Sequence, residues 1–235
     1  MKENDVQGTE ERNPAELVSR GYKMKKSLAI FFLLLPISVA IFFAGNACGE
    51  EKQSYAALLQ KVKSFDRSVD FRALRLTYAE TPEYNPYASD SARNQMFDAL
   101  RNKKYEEALR FAQAILENNY VDLDAHFVCR IVYKNMGDPE KYDYHQFVLR
   151  GLMNSIYESG DGSTPEKAAV VIDVKEEYFI LYANGLETTK SSSMKFGGHD
   201  YDKMEVQNKK TGEKMVLFFN IDIPFGWLSR KMKTR

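Results

Sequence analysis

The apolar residues between positions 52 and 159 recur every three or four residues, a spacing that places them on one face of an α-helix. Capping residues, glycines and prolines separate the successive stretches. Pro82 and Pro86 interrupt the pattern most sharply, because the residue before a proline is pushed towards extended geometry. The pattern predicts a helical part over about 52–159, with stripes at Tyr55–Val62 and Phe71–Tyr78, a helix ending near Arg101, and helices opening near Lys104, Asp122 and Asp138.

Beyond Gly162 the period of the apolar residues shifts towards two, which is typical of strands. Asn184-Gly185 and Gly197-Gly198 are strong turn signals. The predicted strands are Ala169–Ile172, Tyr178–Tyr182 and a hairpin of Asp202–Asn208 with Glu213–Ile221. Such local connections favour an antiparallel β-meander over about 168–222 that packs on the helices, and the basic tail from Trp227 is predicted to fray. The predicted fold class is therefore α+β.

Residues 104–138 resemble a tetratricopeptide repeat (TPR). Residues 104–109 read KYEEAL, in the manner of the first helix of that repeat, and Ile115 follows at the matching distance. A small residue such as Ala108 lets two antiparallel helices approach closely, and Gly137 falls where such a repeat turns. The likeness covers roughly one and a half repeats, whereas at least about three make a free-standing solenoid. We therefore expect a TPR-like helical layer that another element covers.

The segment from Leu28 to Gly45 has no ionisable side chain and is just long enough to span a hydrocarbon core of about 30 Å. Lys23, Lys25 and Lys26 precede it, so this flank is expected to stay in the cytoplasm while the following chain crosses the membrane. A basic start, an apolar stretch and small residues after it describe an export signal. The sequence thus predicts that residues 48–235 lie in the periplasm or at the outer face of the cell envelope.

Three fates of this export segment fit the sequence. Gly45-Asn46-Ala47-Cys48 is similar to the lipobox of bacterial lipoproteins, in which the cysteine is lipidated, although Gly45 replaces the usual leucine. Cleavage after Ala47 without lipid would leave Cys48 as a thiol at the new N-terminus, and no cleavage would leave Leu28–Gly45 as an anchor. The membrane is therefore an expected partner, through lipidated Cys48 or through the retained apolar helix.

The chain divides into three parts on this basis. Residues 1–23 are a polar extension, and we hypothesise that translation starts at Met24, because Met24-Lys25-Lys26 makes an ordinary signal start. Residues 24–47 are the signal peptide or membrane anchor. Residues 48–235 are one exported α+β domain, with its helical part over 52–159 and its β part over 168–222.

The charge of the chain is balanced, with 33 Lys and Arg against 33 Asp and Glu and a pI near 6.9. A nucleic-acid-binding domain normally shows a basic excess or a basic face, so we expect no nucleic-acid partner. Two cysteines are too few for a disulfide framework or for a zinc site built from cysteines alone. The hydrophobic content of 44% is enough for a packed core and excludes global disorder.

A series of short motifs runs from about Asp70 to Asp222. They are Phe71-x-x-Leu74-Arg75-x-x-Tyr78, Tyr84-Asn85-Pro86-Tyr87, Asp124-Ala125-His126, His145 with Gly151-Leu152, Ser159-Gly160-Asp161-Gly162 and Glu176-Glu177-Tyr178. In this order they resemble the bacterial family catalogued as domain of unknown function 4919. The resemblance implies an exported bacterial protein and brings no known catalytic residues.

Few residues of the chain carry chemistry. His126 and His145 lie on successive helices that an antiparallel pair would bring together, and Asp161 and Glu177 follow them in the sequence. Such a group would suit a general base with an orienting partner, as in a small exported hydrolase, or a metal-binding enzyme. No H-E-x-x-H or comparable spacing is present, so we predict no metal and no cofactor. The plainer interpretation is that both imidazoles make structural hydrogen bonds.

Tyr84 and Tyr87 would either floor a binding groove or pack the proline loop onto the helices, and we favour packing. Cys129 falls at a core position of its helix and is predicted to be a buried thiol, which would pair with Cys48 only if Cys48 carries no lipid. The favoured function is a non-enzymatic, membrane-tethered module whose TPR-like layer binds a protein or a peptide. The alternative is a small exported hydrolase or metal-binding enzyme that uses His126, His145, Asp161 and Glu177.

Overall fold

The structure is a computed structural model that describes residues 53–88 and 90–233. In this part the chain forms eight α-helices and a four-stranded sheet, so the α+β class is confirmed. The helices are α1 (Tyr55–Lys63), α2 (Phe71–Tyr78), α3 (Ser91–Arg101), α4 (Tyr105–Asn118), α5 (Leu123–Met136), α6 (Pro139–Tyr157), α7 (Val174–Ala183) and α8 (Asp222–Lys233). The strands are β1 (Ala169–Val170), β2 (Leu186–Phe196), β3 (His199–Asn208) and β4 (Lys214–Asn220).

Helices α1 to α6 lie where the apolar spacing predicts them, and their first turns explain where they begin. The carboxylates of Asp70, Asp122 and Asp138 cap α2, α5 and α6, each accepting a hydrogen bond from the backbone N–H three residues on, at 2.8, 2.8 and 3.0 Å. Helices α3 to α6 pack each against the next, and α2 packs on α6. Their buried faces form a continuous core with the helix-facing side of the sheet.

A glycine lets α2 and α6 approach closely. A Cβ atom placed on Gly151 of α6 would lie 2.2 Å from the ring of Phe71 on α2, a separation that no side chain tolerates. Phe71 therefore packs directly on the backbone of α6. The close packing of these two helices explains why this position of the motif is a glycine.

The sheet is mixed, and the predicted purely antiparallel meander is wrong. The strand order is β1-β4-β3-β2, with β2, β3 and β4 antiparallel and β1 parallel to β4, Ala169 opposite Phe219. Two hairpins reverse the chain twice between β2 and β4, so β4 runs parallel to β2. Strand β1 runs in that direction too and pairs with β4 at the edge of the sheet. The predicted hairpin of β3 with β4 and the turn at Gly197-Gly198 are confirmed.

The run Tyr178–Tyr182, predicted as a strand, is helical and lies inside α7. Asp173 caps this helix by accepting from the N–H of Lys175 at 2.9 Å. The residues of α7 on the inner side are buried, whereas Tyr178 and Tyr182, one turn apart, are exposed. A short run of β-branched and aromatic residues does not by itself distinguish a strand from a buried helix, and here the cap and the tertiary contacts decide.

The basic tail was predicted to fray, but its described residues, 227–233, are helical and belong to α8 (Asp222–Lys233). Ile223 and Trp227 anchor it, because both pack against the core. The predicted export segment and its possible lipid site, Cys48, lie outside the described residues. Among the helices that the structure describes, none combines the length and the apolar character needed to cross a bilayer.

Candidate functional site

An open groove of about 650 Å³ lies between α1, α2, α4 and α6. Aromatic and aliphatic side chains make up its wall, namely Tyr55, Leu59, Tyr78, Leu116, Tyr120 and Tyr144, together with His145. Its exposed rim carries Lys63, Glu83, Gln113, Glu117 and Asn118. The ammonium of Lys63 lies 5.1 Å from the centre of the Tyr120 ring. The groove thus joins an aromatic wall to a rim that carries both signs of charge.

The two predicted histidines meet behind this wall. His126 of α5 is completely buried, whereas His145 of α6 keeps 9% of its surface exposed and lines the groove. Their Nδ1 atoms are 2.9 Å apart, and His126 Nε2 lies 2.9 Å from the carbonyl oxygen of Tyr120. Burial lowers the pKa of His126 to about 3 and that of His145 to about 4, so both rings are neutral at physiological pH.

The direction of each hydrogen bond follows from these contacts. A carbonyl oxygen only accepts, so His126 carries its proton on Nε2 and donates it to Tyr120. His126 Nδ1 then has a lone pair, and His145 Nδ1–H must donate to it. The remaining nitrogen, His145 Nε2, carries a lone pair with no donor among the described residues, and it is not sealed from solvent. It is a hydrogen-bond acceptor on a residue that lines the groove.

Tyrosine hydroxyls beside His145 supply the complementary donors. Tyr120 and Tyr144 share a hydrogen bond of 2.5 Å between their hydroxyl oxygens, so one O–H of the pair remains to donate. Burial raises the pKa of both, and raises the pKa of Tyr55 to about 12, which keeps these groups protonated. The ring of Tyr133 stacks on His145 at 5.5 Å and fixes its orientation.

The other two residues of the predicted enzymatic group lie elsewhere. Asp161 is exposed in the loop after α6, where its carboxylate accepts from the N–H of Ser163 at 2.8 Å, a contact that lowers its pKa. Glu177 lies in α7 and is completely buried. Within the described residues no contact joins either carboxyl group to His126 or His145. The structure therefore brings the two histidines together and leaves the two acids apart from them.

Glu177 has an unusual environment of its own. Neither of its carboxyl oxygens has a hydrogen-bond partner among the described residues, and neither touches solvent. Burial, followed by the nearby negative charges of Asp202, Glu176 and Asp173, raises its pKa to about 9. Glu177 is thus a neutral carboxylic acid at physiological pH.

A buried ion pair ties α2 to α7 and was not predicted from the sequence. Arg75, 1% exposed, donates to both carboxylate oxygens of Glu176 at 3.0 and 2.6 Å. The same guanidinium donates to Ser155 Oγ and to the carbonyl oxygen of Val170, and Glu176 also accepts from the N–H of Ile172. Only the presence of both residues in the short motifs hinted at their importance, because 101 positions separate them.

The family model described as "Domain of unknown function (DUF4919)" matches residues 49–227, most of the chain. The chain belongs to the DUF4919 family. No curated protein and no solved structure matches it significantly. Its DUF4919 membership therefore establishes kinship and assigns no activity.

The motifs of this DUF4919 chain divide between architecture and groove. Arg75 with Glu176, and Gly151 under Phe71, hold elements together. Tyr78 and His145 line the groove, and His126 supports His145 from behind. Two of the residues that line the groove, Tyr78 and His145, therefore belong to the motifs that carry the family resemblance.

The two tyrosines of the proline loop have different surroundings. Tyr84 is buried, and its hydroxyl donates to the carbonyl oxygen of Ile172, which fastens the loop to the segment before α7. Tyr87 is 45% exposed and its ring lies 5.9 Å from that of Trp227. Neither lines the groove, so both contacts agree with a packing role.

The cysteine in the described part of the chain is an unreactive, buried thiol. Cys129 is buried without a disulfide, and burial raises its pKa to about 12, so it is a protonated thiol. His199 lies on the surface, 2.6 Å from Asp222. In residues 53–88 and 90–233, no three His, Cys, Asp or Glu side chains are grouped as metal ligands.

A second cavity, of about 440 Å³, lies beside the first turns of α5 and α7. The caps Asp122 and Asp173 line it, and burial raises their pKa values to about 7 and about 6. Lys175 reaches both Asp90 and Asp173, at 3.3 and 3.6 Å. These charges are engaged in helix capping and in ion pairs, which accounts for their placement.

Proposed function

We propose that this protein is an exported, membrane-tethered module that binds an extended peptide segment of a partner protein in the groove between α1, α2, α4 and α6. One observation carries the proposal: His145 lines an open aromatic groove, and the lone pair on its Nε2 has no donor within the described residues. Solvent reaches this nitrogen, so a donor group of a ligand in the groove can take the place of water there. The volume of about 650 Å³ falls within the range of small-ligand and side-chain pockets.

A peptide fits the chemistry of the groove better than other polymers do. Its backbone N–H groups donate to His145 Nε2, and its carbonyl groups accept from the free O–H of the Tyr120–Tyr144 pair. An apolar side chain packs on the tyrosine rings. Flanking charged residues of either sign form ion pairs with Lys63 or Glu117 at the rim, which a neutral sugar chain cannot do.

The helical layer supports this assignment. Helices α4 and α5 are adjacent and pack on each other, and the small residue Ala108 of α4 is completely buried. TPR-like layers present grooves to peptides. The hydrolase alternative needs a reacting group beside His145. The side chains in contact with it are His126 and the rings of Tyr133 and Tyr144, and burial raises the pKa of both tyrosines.

Peptide selection tests the groove. We expect the full chain to enrich sequences from a phage-displayed library of linear peptides, and Leu59→Arg to weaken binding of a selected, labelled peptide by more than about tenfold in fluorescence anisotropy. Leu59 is half-buried in the groove wall. Leu76→Arg is the matched control, because Leu76 is a half-buried leucine of α2 outside the groove.

Circular dichroism establishes that both variants fold. If Leu59→Arg unfolds the chain, Gln113→Trp replaces it, because it fills the groove from the exposed rim. The proposal is overturned if the wild type enriches no peptide above the unselected library, or if the groove variants and Leu76→Arg bind equally well.

The export and the tether are tested separately by the intact mass of protein recovered from bacterial membranes. A mass of residues 48–235 plus lipid on Cys48 supports the lipoprotein. A full-length mass supports the uncleaved anchor Leu28–Gly45. Recovery of the whole chain from the cytoplasm overturns this half of the proposal and leaves the groove untouched.

A further inference from the structure

The two signs of charge at the rim of the groove are not equally available to a ligand. Lys63 is the one lysine or arginine in the described lining, and its ammonium already lies 5.1 Å from the centre of the Tyr120 ring. The carboxylates of Glu83 and Glu117 are exposed and make no ion pair or hydrogen bond with any described residue. The charged groups of the groove that remain free for a ligand are therefore negative.

Glu83 lies near two tyrosines of the groove wall. The rings of Tyr55 and Tyr78 are 5.4 Å apart. Burial raises the pKa of both hydroxyl groups, and the negative charge of Glu83 adds to the rise. Tyr78 is buried, whereas Tyr55 is half-buried. A partly exposed aromatic ring beside a free carboxylate attracts a cation through the face of the ring and through the opposite charge.

The acids continue beyond the groove. Tyr78 and Glu83 also line the neighbouring cavity of about 440 Å³. The other charged side chains of that cavity are Asp90, Arg93, Asp122, Asp173 and Lys175. The three aspartates exceed the two cations, and Arg93 is already paired with Asp124 at 2.5 Å. The charge on the Glu83 side of the groove is therefore negative in balance, which favours a cationic ligand there.

The lining of the groove is also rich in hydrogen-bond acceptors. Besides the two carboxylates it offers the lone pair of His145 Nε2 and the hydroxyl oxygens of Tyr120 and Tyr144. An arginine side chain matches such a lining, because its guanidinium holds five N–H donors in a planar fork and stacks on aromatic rings. Lysine has three donors on a compact charge and no plane to stack, so the lining favours arginine.

We propose that the groove selects an arginine of the peptide segment that it binds. This inference rests on the proposed function of the groove and narrows its partner to a protein with an exposed, extended segment that carries arginine. The guanidinium packs on the tyrosine rings and forms an ion pair with Glu83 or Glu117. An acidic residue at the same place meets two free carboxylates and is rejected.

Defined peptide mixtures test this selection. Fluorescein-labelled peptides carry arginine, citrulline, lysine, norleucine or glutamate at the central position and random uncharged residues on both sides. Citrulline keeps the shape of arginine and lacks its charge. In fluorescence anisotropy with the full chain, we expect the arginine mixture to bind about tenfold more tightly than the citrulline mixture, and the glutamate mixture to bind most weakly.

Removal of the two carboxylates links the selection to the groove. Glu83→Gln/Glu117→Gln is expected to reduce the preference for arginine over citrulline to about twofold and to leave the affinity for the citrulline mixture unchanged. Glu106→Gln/Glu158→Gln removes the same charge from exposed positions outside the groove and is expected to keep the full preference. Circular dichroism establishes that both double variants fold.

Failure of this inference differs from failure of the groove itself. If Leu59→Arg weakens all the mixtures while arginine and citrulline bind equally, the groove binds peptides and the selection of arginine is wrong. The selection is also overturned if the two double variants reduce the preference equally, because the attraction is then a property of the overall charge. If no mixture binds, or if Leu59→Arg changes nothing, the proposed function falls together with this inference.

Discussion

Replacing Glu177 by methionine should stabilise the protein. The carboxyl group of Glu177 is completely buried, and neither oxygen has a hydrogen-bond partner in the described part of the chain. Methionine has a similar length and carries no hydrogen-bonding group that needs a partner. Glu177→Met therefore removes the free-energy cost of burying an unpartnered carboxyl group and keeps most of the packing. Few single changes at a buried charged residue are expected to act in this direction.

The size of the effect follows from the protonation of Glu177. Its pKa is about 9 in the folded protein and close to the ordinary 4.5 in the unfolded chain. At pH 7 the unfolded chain has released this proton and the folded one has not, which costs the folded state about 3 kcal/mol relative to pH 4.5. The unsatisfied neutral carboxyl adds about 1–3 kcal/mol at any pH. The variant should therefore gain several kcal/mol at pH 7.

The sign of the pH dependence is equally specific. A folded pKa raised above the unfolded value gives stability that is fully present below pH 4.5 and is lost as the pH rises towards 9. Urea unfolding at pH 5, 7 and 8.5 should show a difference between Glu177→Met and wild type that grows by about 1.4 kcal/mol per pH unit. Glu158→Met, at an exposed glutamate just after α6, is the control.

The reasoning is refuted if Glu177→Met destabilises the protein at pH 7. It is equally refuted if the difference between the two unfolding curves does not change with pH. Either result would mean that Glu177 is ionised and has a partner, and the acid would then have to be reconsidered as part of a site.

Two further predictions concern the buried polar groups. Arg75→Met should lower the free energy of unfolding measured in urea by about 3–5 kcal/mol, because it leaves the carboxylate of Glu176 buried without its cation. The double variant Arg75→Met/Glu176→Met should lose less than the sum of the two single changes, and additive losses would contradict a coupled pair. Long-range ¹H–¹⁵N NMR should find a proton on Nε2 of His126 and on Nδ1 of His145. Both rings should stay neutral down to about pH 5, and titration of either histidine near pH 6.5 would contradict the buried pair.

Features set by local pattern were predictable, and features set by distant contacts were not. Helical spacing, together with Asp122 and Asp138 at helix starts, located most of the helices, and both aspartates are caps in the structure. The run Tyr178–Tyr182 misled, because its β-rich composition outweighs a weak helical period and its cap Asp173 lies five residues upstream. The parallel pairing of β1 with β4 joins segments 50 residues apart, for which no local signal exists.

The candidate site shows the same division. The contact between His126 and His145 could be predicted from their positions on successive antiparallel helices. That His145 Nε2 is the nitrogen with the open lone pair could not be predicted, because it depends on the hydrogen bond of His126 to the carbonyl oxygen of Tyr120. The separation of Asp161 and Glu177 from this pair depends on how the segment after α6 turns towards the sheet. Spacing along the sequence carries no information about that turn.

Imidazole NMR during titration with a selected peptide tests the proposal that the groove binds peptides most directly. The account predicts that His145 Nε2 is the imidazole nitrogen whose resonance moves, as it accepts a proton from the peptide, while the resonances of His126 and of exposed His199 stay in place. Leu59→Arg should abolish the shift. Movement of the His199 resonance instead, or saturation of binding with His145 unchanged, would contradict the assignment of the groove.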